Sequence, residues 1–112
     1  MINTKENYTK ENYSPNSDEV RMSELLFSLI RKQDPKHKNP NLQKWAIHID
    51  RLIRLDSRSV EEIEKVMRWC QEDGFWQNNI LSTEKLRKQY DQLKLKMEAE
   101  NGNARRGNGV VL

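Results

Sequence analysis

The chain has 112 residues, of which 33% are charged and 35% hydrophobic, and its formal net charge is +3. This length has room for one small domain, and a single cysteine excludes an internal disulfide. Because no apolar run is long enough for a membrane span or a signal peptide, we expect a cytoplasmic protein without membrane contacts.

The first 17 residues are polar and contain a direct repeat, Thr4-Lys5-Glu6-Asn7-Tyr8 followed by Thr9-Lys10-Glu11-Asn12-Tyr13. A period of five residues fits neither a helix nor a strand, and Pro15 follows as a breaker. We therefore predict a disordered arm over residues 1–17. Its tyrosines could stack on nucleic-acid bases or dock on a partner, but a solvated tail is the stronger expectation.

A helical domain is predicted over residues 18–100, and its best-defined part is 41–98. The first helix runs from Asp18 to about Lys32, and Ser17 is its candidate N-cap. The second helix follows Asn41, which is also well placed as an N-cap. Its apolar residues recur at intervals of three and four and lie on one face, and basic residues occupy the other face.

The third helix begins with a capping box, in which Ser59 caps forward and Glu62 reaches back to the Ser59 backbone. We expect this helix to end near Asp73 and Gly74, because glycine accepts the left-handed conformation that commonly follows a helix. The sequence thus predicts both ends of the helix from local signals.

Ser82 is the predicted N-cap of a fourth helix, and Leu81 and Leu86 occupy the two positions of a hydrophobic staple. The helix is expected to fray near Glu100, and residues 101–112 are predicted to form a flexible tail. No segment in the domain alternates with period two. The predicted fold class is all-α, a small bundle of three to four helices with disordered N- and C-terminal tails.

The connector between the third and fourth helices is rich in aromatic residues, with Phe75 and Trp76 adjacent and Trp69 a short way before them. We expect this connector to lock the fourth helix against the second and third. The predicted core comprises Leu42, Trp45, Ile49, Ile53, Ile63, Val66, Met67, Cys70, Phe75, Trp76, Ile80, Leu81, Leu86, Tyr90 and Leu93.

The sequence contains no residue pattern that indicates a catalytic site or a metal site. The candidate ligands Cys70, His37 and His48 fall on three different elements, whereas a metal site needs several ligands at compatible spacing. Cys70 lies on the core face of a helix, where a thiol is not activated. We therefore predict that the protein is not an enzyme and has no metal, cofactor or catalytic residue.

Basic residues on the second and fourth helices could neutralise DNA phosphates, and an exposed Trp69 or Trp76 could stack on single-stranded bases. Against this, the acidic third helix cancels much of the charge, and tryptophans commonly fill the core of a small domain. The candidate nucleic-acid contacts are Lys44, Arg51, Arg54, Arg58, Trp69, Lys85, Lys88 and Lys96.

Four short motifs carry a resemblance to a known family: Asn41-Leu42-Gln43-Lys44-Trp45-Ala46, Arg68-Trp69-Cys70-Gln71, Phe75-Trp76 and Asn79-Ile80-Leu81-Ser82. As a set they resemble the C-terminal helical domain of phage and prophage replication-initiation proteins of Gram-positive bacteria. These are of the replisome-organiser type and are grouped with the DnaD-like and phage replication protein O families. The resemblance covers about half of the chain, roughly residues 40–95.

The resemblance implies a role at the initiation of replication, where the C-terminal region contacts single strands or the helicase-loading machinery. In that family an N-terminal winged-helix domain binds origin DNA, and this chain has no room for it. The tyrosine-isoleucine-tryptophan motif of DnaD-type single-strand binding is also not reproduced, since Lys65 and Glu61 stand at the matching positions before Trp69.

Three hypotheses follow. The leading one is a non-enzymatic replication accessory module that engages DNA, with single strands preferred, through basic helix faces. The second is an adaptor that docks on the replicative helicase or its loader. The third is a small regulatory or structural helical domain without nucleic-acid contact, and self-association is compatible with all three.

Overall fold

The computed structural model describes residues 12–106, and side chains as far as residue 102. This part contains four α-helices: α1 (Asp18–Gln33), α2 (Leu42–Arg54), α3 (Val60–Glu72) and α4 (Thr83–Arg106). A single 3₁₀ turn, Trp76–Asn78, lies between α3 and α4. The described residues form no strand, so the predicted all-α class is confirmed, and no helix among them is long and apolar enough to cross a membrane.

All four helices begin where their capping residues predict. Ser17, Asn41, Ser59 and Ser82 each accept a hydrogen bond through the side chain from the main-chain N–H three residues further on, at 3.0 to 3.2 Å. Each bond satisfies one of the amides that a helix N-terminus leaves without a partner. Short-range side-chain chemistry therefore sets the starts of the helices.

The second half of the predicted capping box is different. Instead of reaching back to Ser59, the carboxylate of Glu62 accepts a hydrogen bond from the hydroxyl of Tyr90 at 2.9 Å and one from Arg58 at 3.2 Å. Because Tyr90 belongs to α4, Glu62 joins two helices rather than closing its own first turn. Gly74 also differs from expectation: its φ is not positive, and α3 ends through an extended Asp73.

The core lies where α3 and α4 pack against α1 and α2. The predicted core residues that are buried there are Ile49, Ile63, Val66, Met67, Cys70, Trp76, Ile80, Leu86, Tyr90 and Leu93. The first helix adds Met22, Leu26 and Ile30. Of the remaining predicted core residues, Leu42, Trp45 and Ile53 are partly buried.

Two predicted core residues, Phe75 and Leu81, lie on the surface instead, with 63% and 41% of their area exposed. The carboxylate of Asp73 accepts hydrogen bonds from the amides of Phe75 and Trp76, both at 3.0 Å, and so bends the chain tightly. This bend directs Trp76 inward and leaves Phe75 outside. Leu81 follows Ile80 directly, and of these two neighbours only Ile80 is buried in the core.

Polar side chains, two of them buried, tie the helices together at points that the sequence pattern does not reveal. The Thr83 hydroxyl donates to the carbonyl of Trp45 at 2.7 Å, which joins the start of α4 to α2. The side-chain amide of Gln71 donates to the carbonyl of Ile80 at 2.8 Å, and Gln33 donates to the carbonyl of Gln71 at 3.1 Å. The Gln71 Oε1 atom has no partner among the described residues.

Both ends of the domain extend further than predicted. Within the predicted arm, residues 1–11 lie outside the described part of the chain, whereas Tyr13 is 5% exposed and packs beside Val20 and Ala46. At the other end, α4 continues to Arg106, past the predicted fraying at Glu100, and residues 107–112 lie outside the described part.

The opposite placements of Phe75 and Trp76 generate a matched pair of stability predictions. Trp76→Ala removes a ring that is 8% exposed and should lower the free energy of unfolding by about 3 to 5 kcal/mol. Phe75→Ala should cost less than about 1.5 kcal/mol, because it removes mainly the edge-to-face contact of the two rings, whose centroids are 4.8 Å apart. Urea denaturation would measure both, and equal losses would contradict this placement.

Candidate nucleic-acid interface

The predicted nucleic-acid contacts do not form one surface. Two depressions flank α4. The basic groove, between α2 and α4, has a volume of about 340 Å³ and is lined by His48, Arg51, Asp56, Glu84, Arg87 and Lys88. The aromatic cleft, between α4 and the end of α3 with its connector, has a volume of about 470 Å³ and is lined by Trp69, Asp73, Phe75, Trp76, Gln92, Lys96 and Glu100.

The basic groove is organised by one ion pair between Arg87 of α4 and Asp56, just after α2. The Nε and Nη2 atoms of Arg87 each lie 2.8 Å from an oxygen of Asp56, a bidentate arrangement that fixes both side chains. The hydrogen bond from Arg87 lowers the pKa of Asp56 below its usual value. This pair fixes the relative position of the groove's two walls.

Positive charge predominates in this groove. Three cationic side chains, Arg51, Arg87 and Lys88, face two carboxylates, Asp56 and Glu84, which leaves one net positive charge. Arg51 and Lys88 were predicted contacts, whereas the pairing of Arg87 with Asp56 was missed. These two residues are 31 positions apart, and no local pattern reports such a contact.

His48 contributes to the basic groove as an uncharged side chain at neutral pH. Partial burial lowers its pKa below the usual range, and the positive charges of Arg51 and Arg87 act in the same direction, whereas Glu84 opposes them. The sequence pattern suggested His48 only as a candidate metal ligand and did not place it in a groove. Its spacing of three from Arg51 on one helix face is the signal that could have placed it in the groove.

Two further predicted contacts already hold carboxylates within the protein. Arg54 pairs with Asp50 at 3.2 Å, and Arg58 pairs with both Glu62 and Asp91, at 3.2 and 2.8 Å. Arg58 thereby connects the chain before α3 to α4. The structure gives both arginines a structural role, and their contact with DNA stays a prediction.

The predicted lysines are all exposed, but they lie apart. Lys44 sits in the first turn of α2 beside a shallow depression that also includes Asn41 and Ile47. Lys85 is exposed in the first turn of α4, and Lys96 lines the aromatic cleft beside Trp69. The eight predicted contacts therefore do not share one surface: Arg51 and Lys88 line the basic groove, Trp69 and Lys96 line the aromatic cleft, and the other four line neither.

The aromatic cleft has a mixed chemical character. Trp69 is partly exposed, and its Nε1–H donates to the carboxylate of Glu100 at 2.9 Å. Phe75, the most exposed aromatic ring of the cleft, provides an apolar wall. Because Asp73 and Glu100 outnumber Lys96, the cleft is less suited to phosphate than the basic groove is.

The one cysteine is unsuited to nucleophilic chemistry. Cys70 is fully buried, and burial raises the pKa of its thiol to about 12, so the reactive thiolate does not form at neutral pH. Within the described residues, no three His, Cys, Asp or Glu side chains come together as a possible metal site.

Comparison with known proteins gives a consistent picture. Residues 21–100 match the model of the family described as phage replication protein O, C-terminal domain. Replication protein 15 of Enterobacteria phage phi80 is 30% identical over 83 residues, which make up 74% of this chain and 28% of that protein. Replication protein O of Escherichia phage lambda is 29% identical over 79 residues, which make up 70% of this chain and 24% of that protein.

Protein YfdO of Escherichia coli K12 is 35% identical over 60 residues, which make up 54% of this chain and 49% of that protein. The matched segment thus spans only about a quarter of the two phage relatives. Because these relatives come from enterobacterial phages and E. coli, the Gram-positive host implied by the resemblance stays a prediction. No solved structure matches the chain.

His48 makes the stability of the domain depend on pH. In the unfolded chain His48 takes up a proton near pH 6.5, whereas the folded protein resists protonation until a lower pH. Its stabilising contribution is therefore complete above about pH 6.5 and is lost as the pH falls through the folded pKa. His48→Gln should show a smaller loss of stability between pH 7 and 5 in urea denaturation, and identical losses would contradict this assignment.

Proposed function

Because this chain belongs to the family of the C-terminal domain of phage replication protein O, we propose that it is a non-enzymatic module of phage or prophage DNA replication. In this proposal the domain contacts DNA through the basic groove. Arg51 and Lys88 bind phosphates, and Arg87 lines the same groove as the partner of Asp56.

The observation that carries the proposal is the convergence of positive side chains from two helices on one depression. Arg51 comes from α2, whereas Arg87 and Lys88 come from α4, and the Thr83 hydroxyl joins the two helices at 2.7 Å. A groove with fixed walls holds its cations at a set spacing, which suits a regularly spaced row of phosphates. Such contacts release counterions and do not depend on base sequence.

Fluorescence anisotropy with labelled single- and double-stranded oligonucleotides tests this role. We expect binding at low salt that weakens steeply as salt rises. The double variant Arg51→Ala with Lys88→Ala removes two phosphate contacts. A plot of log affinity against log salt on duplex DNA should therefore become shallower, its negative slope shrinking in magnitude by about 1.8.

The matched control also removes two positive charges, through Lys32→Ala and Lys65→Ala on the exposed faces of α1 and α3. This control has the same net charge as the groove variant but leaves the groove intact, so its salt slope should stay close to that of the unmodified protein. Equal slopes in the two double variants would mean that salt dependence follows the net charge of the protein and not the basic groove. Absence of binding to either oligonucleotide at low salt would overturn the DNA proposal.

The aromatic cleft favours a second candidate function, an adaptor that docks on the replicative helicase or its loader. Its supporting observation is the exposed ring of Phe75 beside the partly exposed Trp69, with charges of both signs around them. Large aromatic anchors inside a charged rim are typical of protein–protein interfaces. The two functions are compatible, because the cleft and the groove lie on opposite flanks of α4.

Isothermal titration with the purified helicase and with its loader tests the adaptor function. Phe75→Ala should weaken binding by roughly tenfold or more if this ring is a central anchor, and moderate salt should have little effect. Leu95→Ala is the control, because Leu95 is an apolar side chain that is 67% exposed on α4 and lies outside the cleft. Equal effects of the two substitutions would exclude the cleft as the docking site.

A further inference from the structure

The segment before α1 is held in a pocket that recognises a tyrosine. The ring of Tyr13 packs with Val20 and Ala46. Its main-chain N–H donates to Gln43 at 2.7 Å, the Gln43 side chain donates back to the Tyr13 carbonyl at 2.9 Å, and the phenol donates to Asp50 at 2.8 Å. We call this pocket, formed by Val20, Gln43, Ala46 and Asp50, the tyrosine slot.

The tyrosine slot recognises three separate features of its occupant. The Gln43 amide pairs with both main-chain polar groups of one residue, which requires an accessible peptide segment. The apolar wall accepts a ring, and the Asp50 carboxylate requires a hydroxyl at the end of that ring. Phenylalanine could fill the apolar wall but could not donate to Asp50, whose carboxylate would keep only its bonds from Arg54, so the hydroxyl favours tyrosine over phenylalanine.

The chain contains a second segment with the same features. Asn12-Tyr13 ends the second copy of the Thr-Lys-Glu-Asn-Tyr repeat and is followed by Ser14, and Asn7-Tyr8 ends the first copy and is followed by Thr9. Both tyrosines follow asparagine and precede a hydroxyl residue. The features that the slot recognises in Tyr13 are therefore available in Tyr8.

We propose that the tyrosine slot is a docking site for the repeated Asn-Tyr segment, and that Tyr8 of the same molecule is its alternative occupant when Tyr13 leaves. The N-terminal repeat then supplies two ligands for one site. The chain in front of α1 can dock in two registers that differ by five residues.

Loop entropy sets the preference between the two registers. Three residues separate Tyr13 from the N-cap Ser17, and eight separate Tyr8 from it. The probability of closing a flexible loop falls with the 3/2 power of its length, which favours Tyr13 by about fourfold. The bond from the Ser17 amide to the Ser14 carbonyl, at 2.9 Å, closes the short connection and adds to this preference.

The short tether also favours Tyr8 of the same chain over a tyrosine from a second copy. A ligand on a short flexible tether has an effective concentration in the millimolar range. A second copy reaches that concentration only in very concentrated solution. Once Tyr13 is removed, Tyr8 of the same chain is therefore expected to bind in the slot in preference to a tyrosine of a second copy.

Fluorine NMR on the full chain labelled with 3-fluorotyrosine tests the proposal, because the chain has only three tyrosines, Tyr8, Tyr13 and Tyr90. In the unmodified protein we expect the Tyr8 resonance to differ from that of the docked Tyr13. In Tyr13→Ala, Tyr8 should take the resonance that Tyr13 has in the unmodified protein. Tyr13→Phe, which keeps a ring in the slot, should show the same change in a smaller fraction of molecules.

The resonance of Tyr90, which is 2% exposed, reports the integrity of the fold in each variant. If Tyr13→Ala unfolds the domain, Tyr13→Phe carries the test. Adding Gln43→Ala to Tyr13→Phe removes the side chain that pairs with the main chain of the occupant. The Tyr8 resonance should then return to its position in the unmodified protein. A free Tyr8 in every folded Tyr13 variant would overturn the proposal, as would docking of Tyr8 that grows with protein concentration, since the occupant would then be a second copy.

Discussion

Two hydrogen bonds from the amides of Phe75 and Trp76 to the carboxylate of Asp73 determine the path of the chain between α3 and α4. Asp73 acts as the template of a tight turn, because a short carboxylate side chain can bond to the backbone two and three residues on. The turn places Trp76 in the core, and the amide of Ile80 then donates to the carbonyl of Trp76 at 2.9 Å. The same turn leaves Phe75 as a wall of the aromatic cleft, so one local bend supplies both a core residue and a surface feature.

Local chemistry made much of the fold predictable. The four N-caps, the class of the fold and the family resemblance all depend on residues within a few positions of one another. The errors in the predicted core arose where one neighbour competes with another for a buried position. Phe75 and Trp76 have equal apolar character in the sequence, and only the Asp73 turn decides which of them is buried. In the same way, the sequence does not show which of the adjacent apolar residues Ile80 and Leu81 is buried.

The sites depend on contacts that no short-range pattern reports. Tyr13 bonds to a residue 37 positions away, and Arg87 bonds to one 31 positions away. The basic residues of α2, α4 and the segment after α2 also overstate the available positive charge, since Arg54, Arg87 and Arg58 already hold carboxylates. Side-chain pairing in three dimensions, and not the number of basic residues, therefore determines where an anion can bind.

The hydrogen bonds of the buried Gln71 and of Gln33, at the end of α1, affect how uniquely the domain folds. A core of leucine, isoleucine and valine tolerates small sliding of its helices, because dispersion contacts have little directionality. Hydrogen bonds are directional and tolerate less sliding. Gln33 donates to the Gln71 carbonyl and Gln71 to the Ile80 carbonyl, and the geometry of these two bonds fits only one alignment of α1, α3 and the connector. The Gln71 Oε1 atom has no partner among the described residues, and a buried oxygen in that state costs stability. What the two glutamines add is direction: their bonds disfavour slipped packings of the same sequence.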